Sequence, residues 1–212
     1  MSDTTSSAGD DPTTGTTGPA ELVLPDAEAT RAFGRALAGV LRAGDLLVLT
    51  GDLGAGKTTL TQGIGAGLGV RGQVASPTFI VAREHPSVVG GPALVHVDAY
   101  RLGSLEEVDA LDLDSSLDES VTVVEWGSGL VESLAGDRLE VVLARPRGDG
   151  GDHDRAASGA DDGADDAPEA GARRVTVRAV GARWAGLDVA ALARDAGVAG
   201  GPEAAGPPAP RS

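Results

Sequence analysis

The chain has 212 residues, 41% hydrophobic but only 2% aromatic, with no cysteine and a formal charge of −15. That length suits one domain with tails, and the missing cysteine excludes disulfides and thiolate metal sites. The acidic balance excludes a body that clamps nucleic acid unaided, since phosphate contacts need a basic face. No basic leader and no apolar run of about 18 residues appears, so the expectation is a soluble, cytoplasmic protein without a membrane segment.

Residues 1–20 are Ser, Thr, Gly, Asp and Pro without apolar periodicity, and are expected to be a disordered tail. A short strand is predicted at 21–24. Pro25-Asp26 then opens a helix whose Phe33, Leu37 and Val40/Leu41 recur at helical spacing, closed by Gly44. An apolar strand over 45–50 runs into a glycine turn and a helix to about Leu68. Ser76-Pro77-Thr78-Phe79 breaks the chain before a strand at 79–83, and 86–92 is a turn.

Ala93 to Val97 form an apolar strand ending in Asp98-Ala-Tyr100-Arg101, and Ser104 caps an acidic helix over 105–113. Another apolar strand, 121–124, ends in Glu125-Trp126-Gly127, with a short helix expected at 128–135. Residues 139–144 and 174–180 alternate as two half-exposed strands of a hairpin, and a terminal helix is expected at 184–196.

Between the hairpin strands lies an acidic tract. Residues 149–169 hold eight acids (Asp149, Asp152, Asp154, Asp161, Asp162, Asp165, Asp166 and Glu169) against Arg155, a net of −7. The predicted organisation is a tail to residue 20, a domain over 21–148, an acidic low-complexity insert at 149–172, the last strand and helix of the same domain at 173–196, and a Pro/Gly/Ala tail over 197–212. Strands alternating with helices predict a three-layer α/β domain whose mostly parallel sheet has an antiparallel C-terminal edge.

The chemistry concentrates at 51–58. Gly51, Gly56, Lys57 and Thr58 match G-x-x-x-x-G-K-S/T between a strand and a helix, the context a phosphate-binding loop requires. Glycines at 51, 54 and 56 let successive backbone N–H groups converge on phosphate oxygens. The following helix aims its positive end at the same anion. Lys57 would bridge the outer phosphates and Thr58 would bind Mg²⁺. Of 17 basic residues, Lys57 is the only lysine. The exception falls where a compact ammonium differs chemically from a guanidinium fork.

In open α/β sheets ligands sit beyond the carboxyl ends of strands. Asp98 and Glu125 both end apolar strands there, Asp98 as a Walker B aspartate does and Glu125 as a second Mg²⁺ ligand or a water-orienting base. Phe79, Tyr100 and Trp126, three of only five aromatics, lie beside these candidates.

Gly-Asp-Leu-Gly-Ala-Gly-Lys-Thr-Thr, Ser-Pro-Thr-Phe, His-x-Asp-x-Tyr-Arg and Glu-Trp, in this order, resemble the TsaE (YjeE) family of bacterial ATPases, over 21–148 and more weakly 173–180. That family belongs to the machinery that makes threonylcarbamoyl-adenosine next to the anticodon of tRNA. The resemblance implies a P-loop NTPase fold and ATP with Mg²⁺ as cofactors. It implies a nucleotide site at Gly51, Asp52, Leu53, Gly54, Ala55, Gly56, Lys57, Thr58 and Thr59 together with Thr78 and Trp126. Thr58, Asp98 and Glu125 would serve the metal, and Lys57, Asp98 and Glu125 catalysis. The implied partners are the threonylcarbamoyl transferase and its paralogous subunit. The family usually has proline or a similar residue where Gly127 stands.

The reading is then an ATPase, slow alone and stimulated by partners, acting as a nucleotide-driven switch. The alternative is a small-molecule P-loop kinase with Asp98 as base, but such kinases use an arginine-bearing lid, and the long insert is acidic. A GTPase would need Asn-Lys-x-Asp, which a single lysine in the phosphate loop forbids. A binding module in which ATP only orders a docking surface shares every residue with the ATPase. Arg101 is the best in-chain arginine finger, unless a partner supplies one.

Overall fold

A computed structural model describes residues 17–77, 81–145 and 171–198. Within these, seven strands form one sheet in the order β1-β7-β6-β2-β5-β4-β3. The strands are β1 (Thr17–Leu24), β2 (Leu46–Thr50), β3 (Ala82–His85), β4 (Ala93–Asp98), β5 (Ser120–Glu125), β6 (Arg138–Ala144) and β7 (Arg173–Val180). β6, β2, β5 and β4 are mutually parallel, while β7 runs antiparallel to β6 and to β1, and β3 antiparallel to β4. The expected mostly parallel sheet with an antiparallel C-terminal side is present, with β1 outside β7.

The sheet divides two cores, as β-strand alternation requires. Leu47 and Leu49 of β2, Val121 and Val123 of β5 and Leu94 of β4 face α1 (Ala27–Ala38), α2 (Lys57–Leu68) and α5 (Val189–Asp195), whose Phe33, Leu60, Ile64 and Leu192 fill that layer. Leu46, Val48, Val95 and Val97 face the opposite layer, with Val108 of α3 (Leu105–Asp109), Leu113 and Leu117 of α4 (Leu113–Leu117), and Val131. β2 and β5 are buried on both faces, and β2 reads as a continuous apolar run from Leu46 to Leu49.

Helices α1 and α2 meet backbone to backbone. A Cβ at Gly34 would lie 2.5 Å from the Leu60 carbonyl oxygen, one at Gly63 2.3 Å from that of Arg31, and one at Gly67 2.5 Å from Ala38 Cβ. Two glycines of α2, Gly63 and Gly67, each costing about 1 kcal/mol of helix propensity, and Gly34 of α1 thus bring the phosphate-loop helix close against its neighbour.

Several boundaries differ from expectation. The first strand begins at Thr17 instead of 21, because Ala20 and Thr17 find partners in Val177 and Ala179 of β7. Helix α1 opens on Asp26, whose side chain accepts from Ala29 N, but stops at Gly39. The Asp45 carboxylate captures the Arg42 N–H at 2.8 Å and bends 42–45 into a turn, within which Gly44 takes φ +90°. The single helix expected at 105–113 is two, interrupted where Asp112 turns left-handed at φ +49°.

No helix forms at 128–135, because Glu132 takes the N–H groups of Gly129 and Val131 and Gly129 has φ +82°. The last helix starts at Val189, where Asp188 caps it, after a 3-10 turn at Ala182–Trp184 and a left-handed Gly186. Ordered chain continues to Val198, which is buried and donates to the Ala193 carbonyl, two residues into the expected tail. Strand β3 begins at Ala82; the expected Phe79 and Ile80, with most of the acidic insert, lie outside the described residues. No helix among the described residues is long and apolar enough to cross a membrane.

Candidate nucleotide site

The loop from Gly51 to Gly56 leaves β2 and enters α2 through three left-handed glycines, φ +149° at Gly51, +71° at Gly54 and +106° at Gly56. At Gly51 a Cβ would stand 2.2 Å from the Leu143 carbonyl oxygen of β6, so no side chain fits. Gly56 occupies the N-cap of α2 and offers no side chain to its first N–H groups. The first turn of a 12-residue helix therefore presents backbone donors and the positive dipole end.

The period of two along a strand explains which side chains gather there. His96 and Asp98 on β4 and Glu125 on β5 share the face of Leu94, Val121 and Val123, the face that α2 covers, and the register places Asp98 directly opposite Glu125. Thr58, in the first turn of α2, donates its hydroxyl to Glu125, with Oγ1 3.0 and 3.2 Å from Oε1 and Oε2. His96 Nε2 lies 2.8 Å from Glu125 Oε1 in a fully buried setting. A carboxylate only accepts, so His96 donates from Nε2.

Asp98 is held on both oxygens, by the Ser76 hydroxyl at 2.8 Å and the Tyr100 N–H at 3.0 Å. Its link to Ser76 fastens the segment that carries Pro77.

Lys57 is 4% exposed, yet makes no ion pair with a described carboxylate. Its ammonium donates to the carbonyls of Gly51 at 2.8 Å and Asp52 at 3.1 Å and sits 3.8 Å over the Trp126 ring centroid. Burial lowers its pKa below the ordinary lysine value, opposed by the charges of Glu125, Asp98 and Asp52. Trp126 holds this position from a left-handed backbone, φ +62°, rare for a bulky residue, with its N–H on the Leu49 carbonyl at 2.9 Å. Tyr100 packs on its ring with centroids 5.2 Å apart. At Gly127 a Cβ would come within 2.7 Å of Val124 and 2.8 Å of Val131, so those valines fill the space a larger residue would need.

Of the residues expected from sequence, Lys57, Thr58, Glu125, Asp98 and Trp126 converge around the loop, and Thr59 is buried behind it. Leu53 is 89% exposed at the loop tip, so only its backbone belongs to the cradle. Thr78 lies outside the described residues, and Arg101 sits exposed in the 3-10 turn after Asp98. Three residues escaped the sequence reading as site residues. His96, two before Asp98 in an apolar strand, was identifiable by alternation. Arg145 and Arg173, which approach Gly54 and Gly56, come from the mouth of the β6–β7 hairpin and carry no local signature.

Among the described residues no group of three His, Asp or Glu side chains forms a metal cage.

Sheet order, glycine cradle and the lysine at the helix start define a P-loop nucleotide-binding protein of the three-layer α/β class. Residues 24–152 match the family model described as threonylcarbamoyl adenosine biosynthesis protein TsaE. The chain is 55% identical over 164 residues to the tRNA threonylcarbamoyladenosine biosynthesis protein TsaE of Streptomyces coelicolor, covering 77% of this chain and 99% of that one. It is 40% identical over 119 residues to the Bacillus subtilis protein of the same name, covering 56% and 73%. The crystal structure of Bacillus subtilis YdiB is similar at a TM-score of 0.56 and 28% identity, over 84% of this chain and 94% of that one. The chain belongs to the TsaE family.

Proposed function

We propose that this chain is a Mg²⁺-dependent ATPase required for forming the threonylcarbamoyl group on the adenosine next to the anticodon of tRNAs. The observation that carries the ATP site is the buried Lys57 ammonium, held by two neutral carbonyls and a ring beside a glycine cradle. Such a charge is left for an anion to neutralise. The names of its relatives supply the pathway.

In this reading the loop N–H groups and Lys57 bind the polyphosphate. The Thr58 hydroxyl donates its hydrogen bond to Glu125, which leaves its oxygen lone pairs for a cation, and Asp98 offers a second oxygen nearby. Mg²⁺, when bound, neutralises charge on the phosphate oxygens. Glu125, fixed on one side by Thr58 and on the other by His96, orients the attacking water or takes part in the metal site. Catalysis is positioning and charge neutralisation. The protein works in the cytoplasm as a nucleotide-driven switch within a complex of the threonylcarbamoyl transferase and its paralogous subunit, and touches tRNA through those partners.

The test is hydrolysis with Mg²⁺, ATP against GTP, alone and with the partner proteins, for wild type and Glu125→Ala. ATP turnover that needs both the partners and Glu125 supports the switch ATPase. Turnover indifferent to both argues for the small-molecule kinase, and a Glu125→Gln protein that hydrolyses nothing yet sustains full modification argues for a non-catalytic binding module.

A further inference from the structure

Charged side chains around the phosphate loop are sorted by side. On the β5 and β4 side of β2 stand the carboxylates of Glu125 and Asp98, with the Thr58 hydroxyl between the loop and Glu125. On the opposite side, the β6 and β7 side, stand two arginines. A Cβ at Gly54 would lie 2.9 Å from Arg145 Nη2 and 3.4 Å from its Cζ, so the guanidinium lies against the loop backbone at that point. A Cβ at Gly56 would lie 3.5 Å from Arg173 Nε. Arg173 is buried and donates to the Gly171 carbonyl, so it belongs to the support of the loop. Arg145 is exposed, and among the described residues no carboxylate or carbonyl accepts from it.

A nucleoside triphosphate on this loop has two chemically distinct ends. Thr58, Asp98 and Glu125 would hold the metal that neutralises charge on the outer phosphates, so that end belongs with them. The nucleoside must then leave the loop on the other side, over the carboxyl end of β6. Resting on the reading of 51–58 as a nucleotide site, we infer that Arg145 is the nucleoside contact. Its planar guanidinium covers the face of the bound base by stacking and cation–π attraction. A guanidinium matches any purine face, so this contact holds the nucleoside without choosing between bases.

The experiment titrates wild type, Arg145→Ala and Arg145→Lys with Mg·ATP and, separately, with Mg·tripolyphosphate, which has the phosphates and no nucleoside. Arg145 is exposed, so all three proteins should melt together, which is checked first. The expected result is about a tenfold weaker ATP affinity in Arg145→Ala, from roughly 1.4 kcal/mol of lost stacking, with tripolyphosphate affinity unchanged and little recovery in Arg145→Lys. An equal loss for both ligands, a full recovery with lysine, or no loss at all overturns the assignment. A wild type that binds neither ligand overturns the nucleotide site itself, a different result.

Discussion

Replacing Gly63 with alanine sets two effects of opposite sign against each other. In an exposed helix interior the change would stabilise by about 1 kcal/mol. Here the new Cβ would lie 2.3 Å from the Arg31 carbonyl oxygen and 2.9 Å from Arg31 Cα, against 3.4–4 Å for ordinary contact. Both neighbours are backbone, so no rotamer change relieves the clash, and α1 and α2 must part by roughly an ångström in a core that packs at crystal density. Overpacking costs about 1–3 kcal/mol, and rigid neighbours put this case at the upper end.

Less the propensity gain, the net loss is about 2 kcal/mol, or roughly 4–8 °C in Tm for a protein of this size. Thermal unfolding by circular dichroism reads it directly. Gly34→Ala pushes on the same contact from α1, with its Cβ 2.5 Å from the Leu60 carbonyl oxygen. The double variant should therefore lose less than the sum of the two. A Gly63→Ala protein that melts at or above the wild-type temperature would refute the backbone-spaced interface.

Gly51→Ala, with a Cβ 2.2 Å from the Leu143 carbonyl and φ +149°, should cost more than about 2 kcal/mol and abolish ATP binding, by melting and calorimetry. Lys57→Ala should abolish nucleotide binding without lowering the Tm of the free protein, because it removes a buried ammonium that no carboxylate among the described residues pairs; unchanged ATP affinity would count against the site. His96→Ala leaves Glu125 held by Thr58 and should slow partner-stimulated turnover by about tenfold with little change in ATP affinity, a split that steady-state kinetics resolves. His85 is buried and its pKa is lowered below 6.5 by desolvation. The unfolded chain therefore protonates His85 first on acidification, and stability is lost as pH falls below 6.5 toward the folded value. His85→Leu should flatten Tm against pH over that window by at most one proton, about 1.4 kcal/mol per pH unit, and parallel curves would refute this.

The phosphate loop was legible because its chemistry admits few residues at each step. Glycine is needed at 51 and 56, an ammonium at 57 and a hydroxyl at 58, in fixed local order. Asp98 and Glu125 were legible because polar residues ending buried apolar strands are rare. Local signals did worse where a side chain overrode the helix pattern, as Asp45 does at 42–45 and Glu132 at 129–131. Arg145 and Arg173 could not be found from spacing, because Arg145 reaches Gly54 through the parallel pairing of β6 with β2 and Arg173 reaches Gly56 through the antiparallel return of β7 along β6. The reason for glycines 63 and 67 was equally hidden, since it lies in the path of α1.

The pairing of β1 with β7 sets a schedule for making this protein. Leu24 partners Arg173, 173 − 24 = 149 residues later in the chain. At about 5–20 residues per second, synthesis separates them by roughly 7 to 30 s. Through that interval Leu22 and Leu24, fully covered in the finished fold, have no strand beside them. The acidic stretch at 149–169 lies inside that separation and lengthens the wait. A nascent chain halted before residue 173 would already hold the phosphate loop and both carboxylate strands, with its first strand still open to chaperones.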